Sequence, residues 1–218
     1  LLFHFLKLFC FKTMLHSLYN LFSAVVFILM SVGLGALVYN SLNIKFKSML
    51  EIFTASYGLG LVLIIYATFV IAYFNLLNGL NIYIVCLLSY IFIFYKFKVE
   101  YFYTIKSIFN IENKFNSTFI LIFVTSIIYL FSAMAPILDG DSLHTYLDLP
   151  RKYIHYGGLK SFKYELYNSS PLNIQMLSTF LLLIGNDILA QIIVGYGMII
   201  FSCLMIYIIC KNIFNKEA

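Results

Sequence analysis

The sequence predicts an all-α, polytopic transmembrane helical bundle of about six spans, with an amphipathic interfacial helical segment in one extracytoplasmic loop. Three observations predict this fold class. Of the 218 residues, 62% are hydrophobic and 11% charged, and the mean hydropathy is +0.95, which excludes a water-soluble domain. The 23 Phe and 18 Tyr exclude a disordered chain, because disorder requires low hydrophobicity. The few charges are concentrated in short segments between long apolar stretches.

The gaps between charged residues mark the spans, because a helix needs about 20 apolar residues to cross the hydrocarbon core. Lipid offers the backbone no hydrogen-bond partner, so these long apolar stretches are predicted to be helical. In chain order the predicted spans are residues 18–39, 53–74, 80–95, 116–135, 172–185 and 188–210. All of them belong to a single membrane domain that covers residues 1–218.

The residues before the first span are rich in Leu and Phe around two lysines, which is typical of an interfacial amphipathic helix or of the end of an earlier span. No small-residue cleavage site follows, so a signal peptide is not predicted. His4 and His16 stand alone near this interface and are not expected to bind a metal. Because the chain begins with Leu1 and not with Met, we expect an N-terminal fragment of a longer protein.

Turn residues predict where two pairs of spans are connected. The stretch between Glu51 and Lys96 has no charge and is long enough for two helices. A cluster with turn composition divides it: Asn75, Asn78, Gly79 and Asn81. Residues 185–187, Gly-Asn-Asp, predict a second turn, between the fifth and sixth spans. The fifth span is the shortest, because the polar Asn173 and Gln175 occupy its start, and its first turn is expected in the headgroup region.

Small residues four positions apart occur in the first two spans, as Ser31/Gly35 and Ser56/Gly60. Such pairs let two helix backbones approach closely in a membrane. They are also common by chance in apolar helices, so the pattern alone leaves a structural role open.

The lysines predict the orientation, because short cytoplasmic loops carry an excess of Lys and Arg. The connections after the first and third predicted spans carry Lys45, Lys47, Lys96, Lys98, Lys106 and Lys114. If six spans alternate, both connections face the cytoplasm and residues 136–171 lie outside. Lysines near the two ends of the chain argue for the opposite orientation: Lys7, Lys12, Lys211 and Lys216.

Composition also predicts location and general partners. The formal net charge of +5 matches the anionic headgroups of a membrane surface. No stripe of basic residues suggests nucleic acid, which is therefore not an expected partner. We expect a multi-pass protein of the cell membrane, inner or plasma, in contact with membrane lipid.

The segment 136–171 is an extracytoplasmic juxtamembrane loop in this prediction and contains all three prolines and the only arginine of the chain. It carries eight charged side chains: Asp139, Asp141, Asp148, Arg151, Lys152, Lys160, Lys163 and Glu165. Each would cost about 2.5 to 3.5 kcal/mol at the membrane centre, so the segment is not a span.

The same segment has helical periodicity. On a helix that starts at Asp141, one stripe collects Asp141, His144, Thr145, Asp148, Lys152 and His155. The opposite side collects Leu143, Tyr146, Leu147, Tyr153 and Ile154. This pattern predicts a helix in the interface plane, with its apolar face toward lipid and its ionisable face toward water or the bundle. Pro150 interrupts it, so we expect two short helices, the second with Pro150 in its first turn and Gly157 or Gly158 as its C-cap.

Carboxylates and cations on one interfacial helix suit the chemistry of a lipid-linked phosphate. Asp141 could accept the proton of an acceptor hydroxyl, which contributes typically 10²–10⁴ in rate. Arg151 and Lys152 could bind the leaving phosphate, the arginine through two parallel hydrogen bonds. The alternative interpretation is that these charges only mark the boundary between membrane and water.

A run of residues within this segment carries a resemblance to a known family. The run is Asp141-Ser142-Leu143-His144-Thr145-Tyr146-Leu147-Asp148-Leu149-Pro150-Arg151-Lys152-Tyr153-Ile154-His155-Tyr156-Gly157. It resembles the first extracytoplasmic loop of polytopic GT-C glycosyltransferases such as protein O-mannosyltransferases and lipid A sugar transferases. Residues 168–171 and 175–177 look like the family's entry into its next span. Two departures are Thr145-Tyr146, where the family has Tyr-His, and Arg151, where it has Lys.

The resemblance implies an inverting transfer of a sugar from a polyprenyl-phosphate donor to an acceptor hydroxyl on the outer face of the membrane. It implies Asp141 as general base, with Asp139 as a second catalytic carboxylate. The substrate-binding residues it implies are Arg151, Lys152, His144 and Tyr153. No cofactor is expected, except that two carboxylates this close could share a proton or bind a divalent cation, which is left undecided.

Two alternatives use the same residues without catalysis. A transporter or flippase would bind a lipid-linked sugar, but such proteins usually place ionisable groups near the midplane of their spans, and these spans have none. An assembly subunit related to a glycosyltransferase would fit the small number of spans.

Overall fold

The computed structural model describes residues 2–44, 49–96, 117–134, 147–160 and 173–214, and within these ranges every regular element is a helix. The helices are α1 (Leu2–Ser41), α2 (Met49–Tyr73), α3 (Gly79–Lys96), α4 (Ser117–Ala133), α5 (Leu149–Tyr156), α6 (Asn173–Ile184), α7 (Asp187–Gln191) and α8 (Met198–Phe214). A π-helical turn, Ile192–Gly197, joins α7 to α8, so that one continuous helix runs from Asp187 to Phe214. The predicted all-α class is therefore confirmed.

Three helical stretches of the described chain are long and apolar enough to cross a membrane: Leu15–Ser41, Leu50–Tyr73 and Asp187–Cys210. Three other apolar helical stretches are shorter: Gly79–Ile91, Val124–Ala133 and Asn173–Ile184. Five of the six predicted spans coincide with a helix to within a few residues, because charges and turn residues end the helices where they end the apolar runs. The first coincides with the C-terminal part of α1 only.

Helix α1 is longer than the first predicted span. It begins at Leu2 and continues to Ser41, 40 residues or about 60 Å. The residues before Leu18 therefore continue into the first predicted span as one helix. No Gly or Pro occurs before Gly33, so nothing in the sequence interrupts the helix between the two parts.

Helices α1 and α2 are in close backbone contact. A Cβ added to Gly35 would overlap the Ser56 carbonyl oxygen and lie 2.7 Å from its carbonyl carbon. A Cβ on Gly60 would in the same way overlap the Ser31 carbonyl oxygen. The Ser31 hydroxyl also donates to the Tyr57 carbonyl at 3.0 Å. The order of the contacts reverses between the helices, so they are antiparallel, and the close approach that the small residues predict is confirmed.

Helix α6 occupies the centre of the bundle. Seven consecutive residues, 175–181, are buried, and α6 packs against α2, α3 and α5. Its Phe180 ring contacts that of Phe27 on α1, with ring centroids 5.9 Å apart. Burial of these seven residues explains why a helix of only 12 described residues is stable here.

Specific contacts also join the helices around α6 to one another. The Tyr57 ring stacks on Phe201 of α8, with centroids 3.7 Å apart. The hydroxyls of Ser126 on α4 and Tyr196 on the π-helical turn lie 2.7 Å apart. The Tyr90 hydroxyl of α3 donates to the Val26 carbonyl of α1 at 2.9 Å.

Both predicted turns are confirmed. After α2, Asn75 adopts a positive φ of 56°, which Asn tolerates better than most residues. Asn78 then caps α3, because its Oδ1 accepts from the Asn81 N–H at 2.8 Å. In the second turn the Asn186 Oδ1 accepts from the Leu189 N–H at 3.0 Å and so caps α7.

Candidate functional site at one end of the bundle

Four parts of the chain meet at one end of the bundle: α1 near Asn20, the turn after α2, α5 with the residues that follow it, and the turn before α7. The Leu159 N–H donates to the Ala72 carbonyl at 3.1 Å, which joins the residues after α5 to the end of α2. Asn186 Nδ2 donates to Asn20 Oδ1 at 2.8 Å, which joins the turn before α7 to α1. We call this region, defined by Asn20, Asn75, Arg151 and Asp187, the polar end.

Helix α5 is terminated as the sequence predicts. Pro150 lies in its first turn, where a missing N–H costs nothing, and Gly157 closes it with a φ of 71°. The Gly157 N–H donates to the Ile154 carbonyl at 3.2 Å, and the Gly158 N–H to the Tyr153 carbonyl at 3.0 Å. These caps satisfy the last carbonyls of a helix that is too short to be stable by itself.

Gly158 allows α5 to dock on the turn after α2. A Cβ at this position would overlap Asn75 Oδ1 and lie 2.7 Å from the Ala72 carbonyl oxygen. The Leu77 N–H also donates to the Gly157 carbonyl at 2.9 Å. Two short backbone segments are therefore held side by side, and they set the position of the helix that carries Arg151.

The apolar face of α5 packs inside the protein. Leu149 is 1% exposed and Tyr153 3%, and the helix packs against α6. The expectation that this face points to lipid is therefore wrong, because α6 offers an apolar surface at the same end. Tyr153, which the resemblance assigns to substrate binding, belongs to the buried core in the structure.

The opposite face of α5 presents its charged side chains. Arg151 Nη2 forms an ion pair with Asp187 Oδ2, and the two side chains are 51% and 45% exposed. Lys152 Nζ lies 2.8 Å from Asp148 Oδ2, one helical turn earlier. Ion pairs this exposed contribute about 0 to 1 kcal/mol, so a competing anion can displace either carboxylate at little cost in stability.

Further aromatic and cationic side chains lie at the C-terminal end of α5. Lys160 Nζ lies over the Tyr156 ring, 4.5 Å from its centroid. The His155 ring contacts the same Tyr156 edge-on, with centroids 5.2 Å apart. With Arg151 and Lys152, this places three cations and two aromatic rings on one side of the polar end.

An amide pair at the polar end was not predicted as part of the site. Asn20 is fully buried, and besides its Oδ1 bond to Asn186 its Nδ2 has no partner among the described residues. The Asn186 Nδ2 also lies 3.4 Å from His16 Nε2. A buried amide is costly without partners, so Asn20 inside an apolar run was a signal that another polar group lies nearby.

Three of the predicted site residues, Asp139, Asp141 and His144, lie outside the described ranges. Their roles therefore stay predictions. Across the described ranges no group of three or more His, Cys, Asp or Glu side chains is arranged to hold a metal ion. The undecided divalent cation depends on Asp139 and Asp141 and stays undecided.

Fold and site together define an all-α protein with three helices able to span a membrane and a charged polar end. Comparison of the chain with known protein families, curated proteins and solved structures finds no match.

Proposed function

We propose that the protein is a multi-pass membrane glycosyltransferase that transfers a sugar from a polyprenyl-phosphate donor to an acceptor hydroxyl. The apolar helices lie in the bilayer of the cell membrane, with the polar end at its extracytoplasmic surface. The observation that carries the proposal is the placement of Arg151 and Lys152 on the exposed face of α5 while the other face is anchored in the bundle.

A lipid-linked phosphate fits this arrangement because its headgroup lies at the level where a membrane helix ends. Arg151 offers a planar guanidinium that can bind two phosphate oxygens, and Lys152 adds a second positive charge one residue away. Asp187 and Asp148 hold these cations in the absence of donor. When the donor binds, its phosphate replaces the carboxylates as the partner of the cations.

The proposed reaction is a single displacement at the anomeric carbon. The Asp141 carboxylate accepts the proton of the acceptor hydroxyl, and the hydroxyl oxygen forms the new bond to the anomeric carbon. The bond from that carbon to the phosphate oxygen breaks, and the polyprenyl phosphate leaves with the electron pair. Because the oxygen attacks opposite the leaving phosphate, the configuration inverts. Arg151 and Lys152 stabilise the charge that develops on the leaving group.

The test is transfer of radiolabel by the full-length membrane protein incubated with polyprenyl-phosphate sugars. Proteoliposomes receive each of the common donor sugars in turn together with a membrane extract as the source of acceptors. Labelled product with at least one donor supports the proposal. Absence of transfer and of donor hydrolysis across all donors contradicts it.

Binding or transport of a lipid-linked sugar is the second candidate, because the centre of the bundle contains uncharged polar groups. Gln175, Ser178 and Thr179 of α6 are buried. Within the described part of the chain, Gln175 Oε1 and Ser178 Oγ have no hydrogen-bond partner. Donor that binds saturably in the same proteoliposomes, without product, would favour this candidate.

A further inference from the structure

We infer that α6 is the returning arm of a re-entrant segment: it runs from inside the bundle to the polar end, so that the chain does not cross the membrane between α5 and α7. This assignment concerns the path of the chain and is independent of sugar transfer. It replaces the alternation of six spans with five crossings, by α1, α2, α3, α4 and the continuous helix 187–214. It also brings Asn186 and Asp187 to the same side of the membrane as Arg151.

The chain is at the polar end both before and after α6. Before α6, the backbone of Leu159 is bonded to Ala72, one residue from the end of α2. After α6, Asp187 is paired with Arg151. If α6 crossed the membrane alone, Asp187 would lie about 30 Å from Arg151, the thickness of the hydrocarbon core.

The described part of α6 is short and does not reach across the bundle. Its 12 described residues, Asn173–Ile184, measure about 18 Å, much less than the hydrocarbon thickness. The Phe180 contact with Phe27 and the Asn186 contact with Asn20 show that α6 runs antiparallel to α1. Asn173, seven residues before Phe180, therefore lies about 10 Å deeper than Phe180, at the level of Leu34 and still about 10 Å short of Ser41 at the other end of α1.

The last helix leads from the polar end to the opposite end of the bundle. Phe201 follows Asp187 by 14 residues, or about 21 Å, and its ring stacks on that of Tyr57. Tyr57 precedes Tyr73, the polar-end terminus of α2, by 16 residues, or about 24 Å. The two distances agree, so the helix from Asp187 runs antiparallel to α2, and Phe214 lies beyond the opposite end of the bundle.

This path also removes part of the conflict between the lysines near the C-terminus and the lysines of the two connections, which predict opposite orientations for six alternating spans. With six alternating spans, position 211 lies on the same side as residues 136–171. With five crossings it lies on the side where α1 and α3 end, and the connections that follow these two helices carry Lys45, Lys47 and Lys98 in the sequence. The lysines of the C-terminal part then agree with those of the two connections, as the excess of positive charge on the cytoplasmic side requires.

The turn at residues 185–187 therefore becomes part of the site, although six alternating spans would place this turn on the other side of the membrane. Asp187 provides the carboxylate that holds Arg151, and Asn186 provides the amide that bonds to buried Asn20. Both depend on the return of α6 to the polar end.

The experiment is thiol labelling of single-cysteine variants of the full-length protein in sealed, oriented membrane vesicles. The background variant has Ser or Ala at the native cysteines: Cys10, Cys86, Cys203 and Cys210. Leu76→Cys reports the polar end, and Leu42→Cys, in the turn after α1, reports the opposite end; both side chains are exposed. Asp187→Cys and Ile213→Cys are the test positions, and a membrane-impermeant maleimide is added from each side.

The expected result is that Asp187→Cys reacts from the same side as Leu76→Cys, and Ile213→Cys from the same side as Leu42→Cys. Reaction of Asp187→Cys from the side of Leu42→Cys overturns the inference. If Asp187→Cys reacts from neither side, the double variant Arg151→Cys/Asp187→Cys is treated with a short bis-methanethiosulfonate. Cross-linking then supports the inference, and its failure overturns it.

Discussion

The carbonyl oxygen of Ser56 occupies the place that a side chain on Gly35 would need. The same relationship occurs in reverse between Gly60 and the carbonyl of Ser31, whose hydroxyl bonds to the backbone of α2. Two glycines, one on each helix, therefore let α1 and α2 approach at two neighbouring points. Lipid tails give no hydrophobic gain for helix association, so packing and interhelical hydrogen bonds hold this pair together.

Gly60→Ala should destabilise the protein, because its methyl group would overlap the backbone of Ser31. Overpacking of this kind costs about 1 to 3 kcal/mol. The measurement is the midpoint of thermal unfolding in detergent. The matched control is Gly58→Ala on the same helix, where the described structure has no atom within 4 Å of the new Cβ. Equal midpoints for the two variants would contradict the close contact of α1 and α2.

Gly158→Ala should release α5 from the turn after α2. Its methyl group would meet both the Asn75 side chain and the Ala72 carbonyl, and a backbone atom cannot move aside cheaply. We expect faster cleavage by protease near α5, read by mass spectrometry. Gly79→Ala is the control, since the nearest atom there is 3.9 Å away. Unchanged cleavage in Gly158→Ala would show that α5 is not held by this contact.

Asn20 and Asn186 should be energetically coupled. Asn186→Ala removes the cap of α7, which costs about 1 kcal/mol, and also leaves the buried Asn20 amide without its partner. Once Asn20→Leu has removed that buried amide, Asn186→Ala should cost about 1 kcal/mol less than in the wild type. The measurement is a double-mutant cycle of unfolding free energies. Strictly additive losses would contradict a direct bond between the two amides.

Arg151→Gln should lower sugar transfer with little change in stability. Its ion pair with Asp187 is half exposed and contributes about 0 to 1 kcal/mol, whereas loss of a bidentate phosphate contact should reduce kcat/KM about tenfold or more. Lys160→Gln is the charge-matched control, because it removes a cation of the polar end that contacts only the Tyr156 ring among described groups. Equal losses in both variants would mean that net charge, and not Arg151, supports transfer.

The helix positions could be predicted from local patterns. Charges and Asn-Gly clusters mark the ends of apolar runs, and Pro150 and Gly157 mark the two ends of α5. The close approach at Gly35 could also be suspected from residue spacing. These features depend on residues that are near one another in the sequence, which a single chain records directly.

The site could be predicted only in part, because its remaining contacts join distant residues. The pairing of Arg151 with Asp187 depends on whether α6 crosses the membrane, and a short segment that mixes eight apolar and four polar residues leaves that undecided. The burial of Tyr153 depends on which surface α6 offers to α5. Periodicity identified the apolar face of α5, but it could not distinguish lipid from protein as the partner of that face.

The central claim is that Asp141 is the general base of a sugar transfer at the polar end, and Asp141→Asn tests it most directly. The assay is radiolabel transfer from the preferred polyprenyl-phosphate sugar by full-length protein in proteoliposomes, with Asp148→Asn as the matched carboxylate control. We predict that Asp141→Asn lowers kcat about 10² to 10⁴-fold while donor binding persists and Asp148→Asn stays within a few fold of wild type. Transfer by Asp141→Asn at the wild-type rate would contradict the claim.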